Sequence, residues 1–128
     1  MMNTQPMEET MATGRLSTHV LDTARGKPAA GVKITLYRIG ATSEKILETT
    51  TNADGRTDAA MLAGDALTVG VYELVFEAGA YLRASGQAVG EVLFLDTIPI
   101  RFGVPDAGAH YHVPLLISPF AYSTYRGS

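Results

Sequence analysis

RLSTHVLDTARGKPAAGVKITLYRI, residues Arg15 to Ile39, reads as strand, turn, strand. In its first third, Leu16, Thr18 and Val20 alternate with Ser17, His19 and Leu21, a period of two that fits a strand and not a helix. Gly26, Pro28 and Gly31 make the middle turn-rich. From Val32 the alternation resumes, with Val32, Ile34 and Leu36 on one face and Lys33, Thr35 and Tyr37 on the other.

The same pattern recurs outward from this stretch. Glu44 to Thr51 is threonine-rich, as strands favour, and leads into Asp54-Gly55, a tight-turn dipeptide that places Arg56 just past a turn. Val71 to Ala78 is a further strand. AGAYLRASG carries helix formers and stops at Gly86, so one short helix is expected there. DTIPIRFGV, HYHVPLLIS and FAYSTY complete the series. Seven or eight short strands with turns between them and a single brief helix predict an all-β fold, an antiparallel sandwich.

The 128 residues suit one domain, and 46% hydrophobic against 18% charged residues suits a packed globule. Residues 1–14 are polar and methionine-rich and are expected as a flexible leader ahead of a domain spanning 15–128, with Met11 an alternative natural start. The opening has neither the basic start nor the apolar run of a secretory signal, and no stretch approaches the ~20 apolar residues of a membrane helix, so a cytoplasmic protein is expected. A net charge of −3 with dispersed Lys and Arg argues against nucleic acid and membrane partners. The absence of cysteine removes disulfides, thiolate metal sites and cysteine nucleophiles. Nucleotide-binding glycine motifs and the GxSxG nucleophile elbow are also missing.

What chemistry remains centres on three histidines, His19, His110 and His112. His110 and His112 lie two apart on a strand and share a face, while Tyr111, Val113 and Leu115 point toward the core. The three imidazoles suit a zinc site with an open position for water. They equally suit a metal-free acid–base site, because imidazole titrates near neutral pH. The plain alternative is a solvated strand face.

Three segments carry a more specific signal: LSTHVLDTARGKPAAGVKITLYR, the DGR turn, and IRFGVPDAGAHYHVPLLISPFAYSTYRGS. From Leu16 to Ser128 the chain resembles the 5-hydroxyisourate hydrolases, the enzyme relatives of transthyretin, and the terminal YRGS is the feature that sets them apart from transthyretins. Leu95, Asp96 and Pro99 fall in a part of the resemblance that varies. The resemblance implies an eight-stranded antiparallel transthyretin-like sandwich with one short helix, and a metal-free, cofactor-free hydrolase of urate degradation, built as a homotetramer with active sites between dimers. It would convert 5-hydroxyisourate to 2-oxo-4-hydroxy-4-carboxy-5-ureidoimidazoline by opening the six-membered ring at the N1–C6 amide bond. Carried over residue by residue, it implies that His19 or His112 deprotonates water. Arg56 and Arg126 would hold the heterocycle and the developing oxyanion. Ser128 would hydrogen-bond substrate or water, Tyr125 would pack against these groups, and His110 would take a supporting place. A transthyretin-like binding protein without catalysis is the alternative from the same resemblance.

Overall fold

The structure, a computed structural model, describes residues 13–128. Residues 1–12 of the expected leader lie outside the described residues. Thr13 and Gly14 already belong to the packed domain: Thr13 Oγ1 donates to the Gly108 carbonyl and Gly14 is buried.

One sheet is made of β4 (Lys33–Ile39), β5 (Ser43–Thr50), β7 (Gly70–Glu77) and β8 (Thr97–Val104), all antiparallel in the order β5-β4-β7-β8. The alternation read from the sequence is the burial pattern of β7, where Tyr72, Leu74 and Phe76 are buried and their neighbours are not. β5 is an edge strand and almost wholly exposed, which is why threonine and charge dominate it.

The facing layer is interrupted. The Arg15–Asp22 strand divides into β1 (Arg15–Ser17) and β2 (Val20–Asp22), and HYHVPLLIS divides into β9 (His110–His112) and β10 (Leu115–Ile117). β9 runs parallel to β1 and β10 parallel to β2, whereas β11 (Tyr122–Thr124) returns antiparallel to β10. β6 (Leu62–Ala63) borders β1, and the two-residue β3 (Lys27–Pro28) borders β2. With each divided strand counted once, the sandwich has eight strands plus β3, and its pairings are antiparallel except for these two parallel contacts. Pro114 accounts for the gap in the second strand, since it has no N–H to give the ladder. Opposite it, Thr18 turns its hydroxyl inward to donate to the Val113 carbonyl.

Leu16, Val20, Leu115 and Ile117 from this layer meet Ile34, Leu36, Leu74 and Phe76 from the other in one buried core. The expected helix is α1 (Ala78–Ala84), which buries Ala78, Tyr81 and Leu82. It ends at Gly86, whose φ of +75° permits a left-handed cap. There the N–H of Gln87 reaches the Leu82 carbonyl and that of Gly86 the Arg83 carbonyl. Tyr81 ties α1 to β2: its hydroxyl donates to buried Asp22 at 2.6 Å, and Gln87 Nε2 and the Arg25 N–H donate to the same carboxylate.

Candidate active site

The break between β1 and β2 leaves His19 without a partner in either strand. It forms instead an isolated bridge with Arg56. Arg56 is held by the turn before it. Asn52 Oδ1 accepts from the N–H groups of Asp54 and Arg56, Gly55 N–H returns to the Asn52 carbonyl, and Gly55 adopts φ +76°. Gly55 lies against β2, its carbonyl accepting from Val20 N–H at 2.8 Å. The Asp-Gly turn legible in the sequence is thus the device that brings Arg56 beside His19. The Arg56 side chain is exposed and its guanidinium has no hydrogen-bond or ion-pair partner among the described residues.

His112 closes β9 and faces the same opening. Its ring lies 6.4 Å from that of His19, centroid to centroid, tilted by 48°. The ring nitrogens are not equivalent. His19 Nε2 lies 2.8 Å from the Asp54 carbonyl, which can only accept, so that nitrogen carries the hydrogen and Nδ1 is left open. His112 Nδ1 lies 2.9 Å from the Ser17 hydroxyl, and its Nε2 has no partner among the described residues. Since no buried side-chain polar atom is left unpaired among the described residues, that Nε2 is open to solvent. Burial, and then the positive charge of His19 and Arg56, hold the His112 imidazole below its ordinary pKa of 6.5.

The C-terminal segment meets His112 directly. His112 and Gly127 form an isolated antiparallel bridge, and Ser128 follows it, exposed. The other two tail residues go elsewhere. The Arg126 guanidinium stacks 4.5 Å over the Tyr111 ring and donates to the His110 carbonyl at 3.0 Å. Tyr125 is 56% exposed and lines, with Arg126, Tyr111, Phe102 and Ile100, a cleft of about 280 Å³ beside the imidazoles' strand. The structure therefore brings together His19, Arg56, His112 and the Gly127–Ser128 end. It sets Tyr125 and Arg126 on the neighbouring cleft.

His110 shares the His112 face, as the two-residue spacing requires, but its Nε2 is taken by the Thr13 carbonyl at 3.0 Å. No three His, Asp or Glu side chains converge to hold a metal ion among the described residues. Arg101 pairs with Glu73 at 3.1 Å on the surface. Ser17 was passed over in the sequence as a strand residue. The available signal was its spacing: Ser17 and His19 share a face two residues apart, as His110 and His112 do.

The chain is similar to known proteins in sequence and in fold. The HIUase/Transthyretin family model matches residues 16–127. A 5-hydroxyisourate hydrolase of Mesorhizobium japonicum is 63% identical over 90% of this chain and 93% of its own length. The structure of Klebsiella pneumoniae 5-hydroxyisourate hydrolase superposes with a TM-score of 0.75 at 38% identity, over 90% of this chain and 99% of that one. A crystal structure of an (S)-allantoin synthase superposes with a TM-score of 0.87 at 45% identity; the match covers 93% of this chain and 45% of that larger one. With a family model matched across residues 16–127 and a relative 63% identical over 90% of this chain, the protein belongs to the HIUase/transthyretin family.

Proposed function

We propose that this chain is a 5-hydroxyisourate hydrolase of urate degradation, with His19, Arg56, His112 and Ser128 as its catalytic residues and with Tyr125 and Arg126 joining them in binding substrate. The observation that carries this reading is the approach of the His19 and His112 rings to 6.4 Å beside the bridge between His112 and Gly127. Two imidazoles with opposed demands on their nitrogens suit the hydrolysis of a cyclic amide.

Water needs a base near neutral pH. A neutral imidazole with an open Nε2 supplies it, and the depressed pKa of His112 keeps that ring neutral where the reaction runs. As water attacks C6, one proton passes to His112 Nε2 and the carbonyl oxygen becomes an oxyanion. The Arg56 guanidinium, whose charge reaches the His112 ring, would stabilise it; loss of one such donor typically costs about 10²–10³ in rate. Collapse of the tetrahedral intermediate breaks the C6–N1 bond. The proton held by His112 then passes to N1, leaving a carboxylic acid that ionises. His19, with Nε2–H fixed on Asp54, presents Nδ1 to orient the water or shuttle the proton.

A homotetramer fits this site, because His19, Arg56 and His112 lie at an open surface that a facing copy would close. A cytoplasmic enzyme fits the lack, among the described residues, of any helix long and apolar enough to cross a membrane. The test is urate with urate oxidase, with and without this protein, following the ultraviolet decay of the intermediate. Accelerated decay, lost in His112→Asn, is the expected result. Ligand retention without faster decay would leave a binding protein in its place.

A further inference from the structure

The His112 ring has two nitrogens, and the reaction proposed above needs only one of them. What the other one touches decides which proton the ring can move. Nδ1 meets a single group, the Ser17 hydroxyl at 2.9 Å, and no other hydrogen bond engages that hydroxyl among the described residues. We propose that Ser17 is a positioning residue for hydrolysis: its oxygen accepts the Nδ1 hydrogen of His112, fixing the tautomer whose Nε2 lone pair faces the site. This rests on the hydrolase reading of that site.

The geometry is built to hold the pair. Ser17 and His112 are register partners in the parallel β1·β9 ladder, so their side chains leave the sheet on the same face. The backbone of Ser17 is pinned on both sides. Leu16 before it is fully buried, and Thr18 after it is buried with its hydroxyl on the Val113 carbonyl. The Ser17 carbonyl accepts from Val113 N–H at 2.9 Å. On the other edge of β9, His112 is clamped by Gly127. Neither partner can drift along its strand without breaking a ladder.

The identity of the group matters as much as its position. A carboxylate here would favour the imidazolium and fill the base with a proton at neutral pH. A hydroxyl accepts the Nδ1 hydrogen, stabilises the cation only modestly as Nε2 gains its proton, and leaves the resting ring neutral. The charged and titratable groups around the ring do not supply this anchor. His19 faces it across 6.4 Å, Arg56 adds positive charge, and His110 and Arg126 spend their polar atoms on Thr13 and on the His110 carbonyl.

Proton–nitrogen correlation NMR of the His112 ring in the wild-type protein, above its titration, reads the tautomer without reference to turnover. The expected result is hydrogen on Nδ1. In Ser17→Ala the tautomer becomes mixed and kcat falls roughly 10-fold to 100-fold with KM little changed. Ser17→Thr, which keeps the hydroxyl, restores both. Ser17→Asp raises the His112 pKa and moves the acid limb of the rate profile to higher pH. Hydrogen on Nε2 in the wild type, or an unaltered kcat in a folded Ser17→Ala protein, overturns the proposal. Failure of the wild type to open the ring would overturn the hydrolase reading and leave the tautomer result to judge Ser17.

Discussion

Gly127 donates its N–H to the His112 carbonyl at 2.7 Å, and His112 N–H reaches back to the Gly127 carbonyl at 3.3 Å. This two-bond exchange fixes the chain's end to the strand that carries one imidazole. It also leaves little room for a side chain. A Cβ on Gly127 would sit 3.1 Å from His112 Cβ and 3.2 Å from Cδ2. Gly127→Ala must therefore push the ring by a few tenths of an ångström. The expected outcome is a fall in kcat of roughly 10-fold with an unchanged circular dichroism spectrum, since small displacements of a catalytic group are costly. A Gly127→Ala protein with wild-type turnover would show that the ring position is not set by this contact.

The turn under Arg56 is equally intolerant, for a different reason. Gly55 has φ +76°, and an added Cβ would lie 2.3 Å from the Val20 carbonyl oxygen, a rigid backbone atom. Gly55→Ala combines strain with collision at the point where the turn meets β2. It should cost more than about 1 kcal/mol in denaturant unfolding and loosen Arg56 and His19 together. By contrast, Arg56→Ala removes only an exposed guanidinium. It should leave the unfolding midpoint in place while kcat/KM drops about 10²-fold or more. Equal stability in the Gly55→Ala and Arg56→Ala proteins would contradict this division.

Much of this arrangement was legible in the sequence, and the illegible part has a common cause. β4, β7 and α1 could be read because their signals are local: alternation for the strands, and helix formers ended by Gly86. The shared face of His110 and His112 followed from strand geometry alone. What could not be read was long-range. The division at Thr18 exists because Pro114, almost a hundred residues later, interrupts the ladder beside it. The two-residue β3 and β6 are too short to show a period. Arg126 stacks on Tyr111 and not beside the imidazoles because the Gly127 bridge sets the direction of the tail. The Ser17–His112 contact likewise depends on a parallel register that no local pattern encodes.

The His112 imidazole gives a prediction whose sign can be worked out. Its pKa is depressed below 6.5 first by burial, then by His19 and Arg56. As base it acts when neutral, so activity is lost on acidification only through this lowered value, and the acid limb should lie below 6.5. His19→Gln and Arg56→Ala each remove a neighbour that disfavours the His112 imidazolium and should raise the pKa of His112 toward normal, read by NMR titration of its ring. Burial, the largest cause, remains in both. The same linkage bears on stability: the unfolded chain takes this proton first, so the contribution of His112 to stability declines as pH falls below 6.5. His112→Asn should abolish that part of the pH dependence.

Asp22 and Tyr81 respond at the opposite ends of the pH scale. Burial alone would raise the Asp22 pKa, but the hydrogen bonds from Tyr81, the Arg25 N–H and Gln87, with the charge of Arg25, outweigh it and leave the carboxyl below its ordinary 3.8. Its contribution is therefore present above that value and lost as pH falls through the lowered one. Burial, and then the bond to Asp22, push Tyr81 up to about 12 from 10. Its contribution is full below 10 and disappears as pH rises toward 12, because the unfolded phenol ionises first. Tyr81→Phe removes one donor from a buried carboxylate and should cost about 1–3 kcal/mol near neutral pH. It should also flatten the alkaline decline in stability between 10 and 12. Since Asp22 ends β2 while His19 lies just before that strand, the variant tests whether α1 braces the site. Loss of stability with kcat intact at low temperature would assign the Asp22–Tyr81 bond to the fold alone.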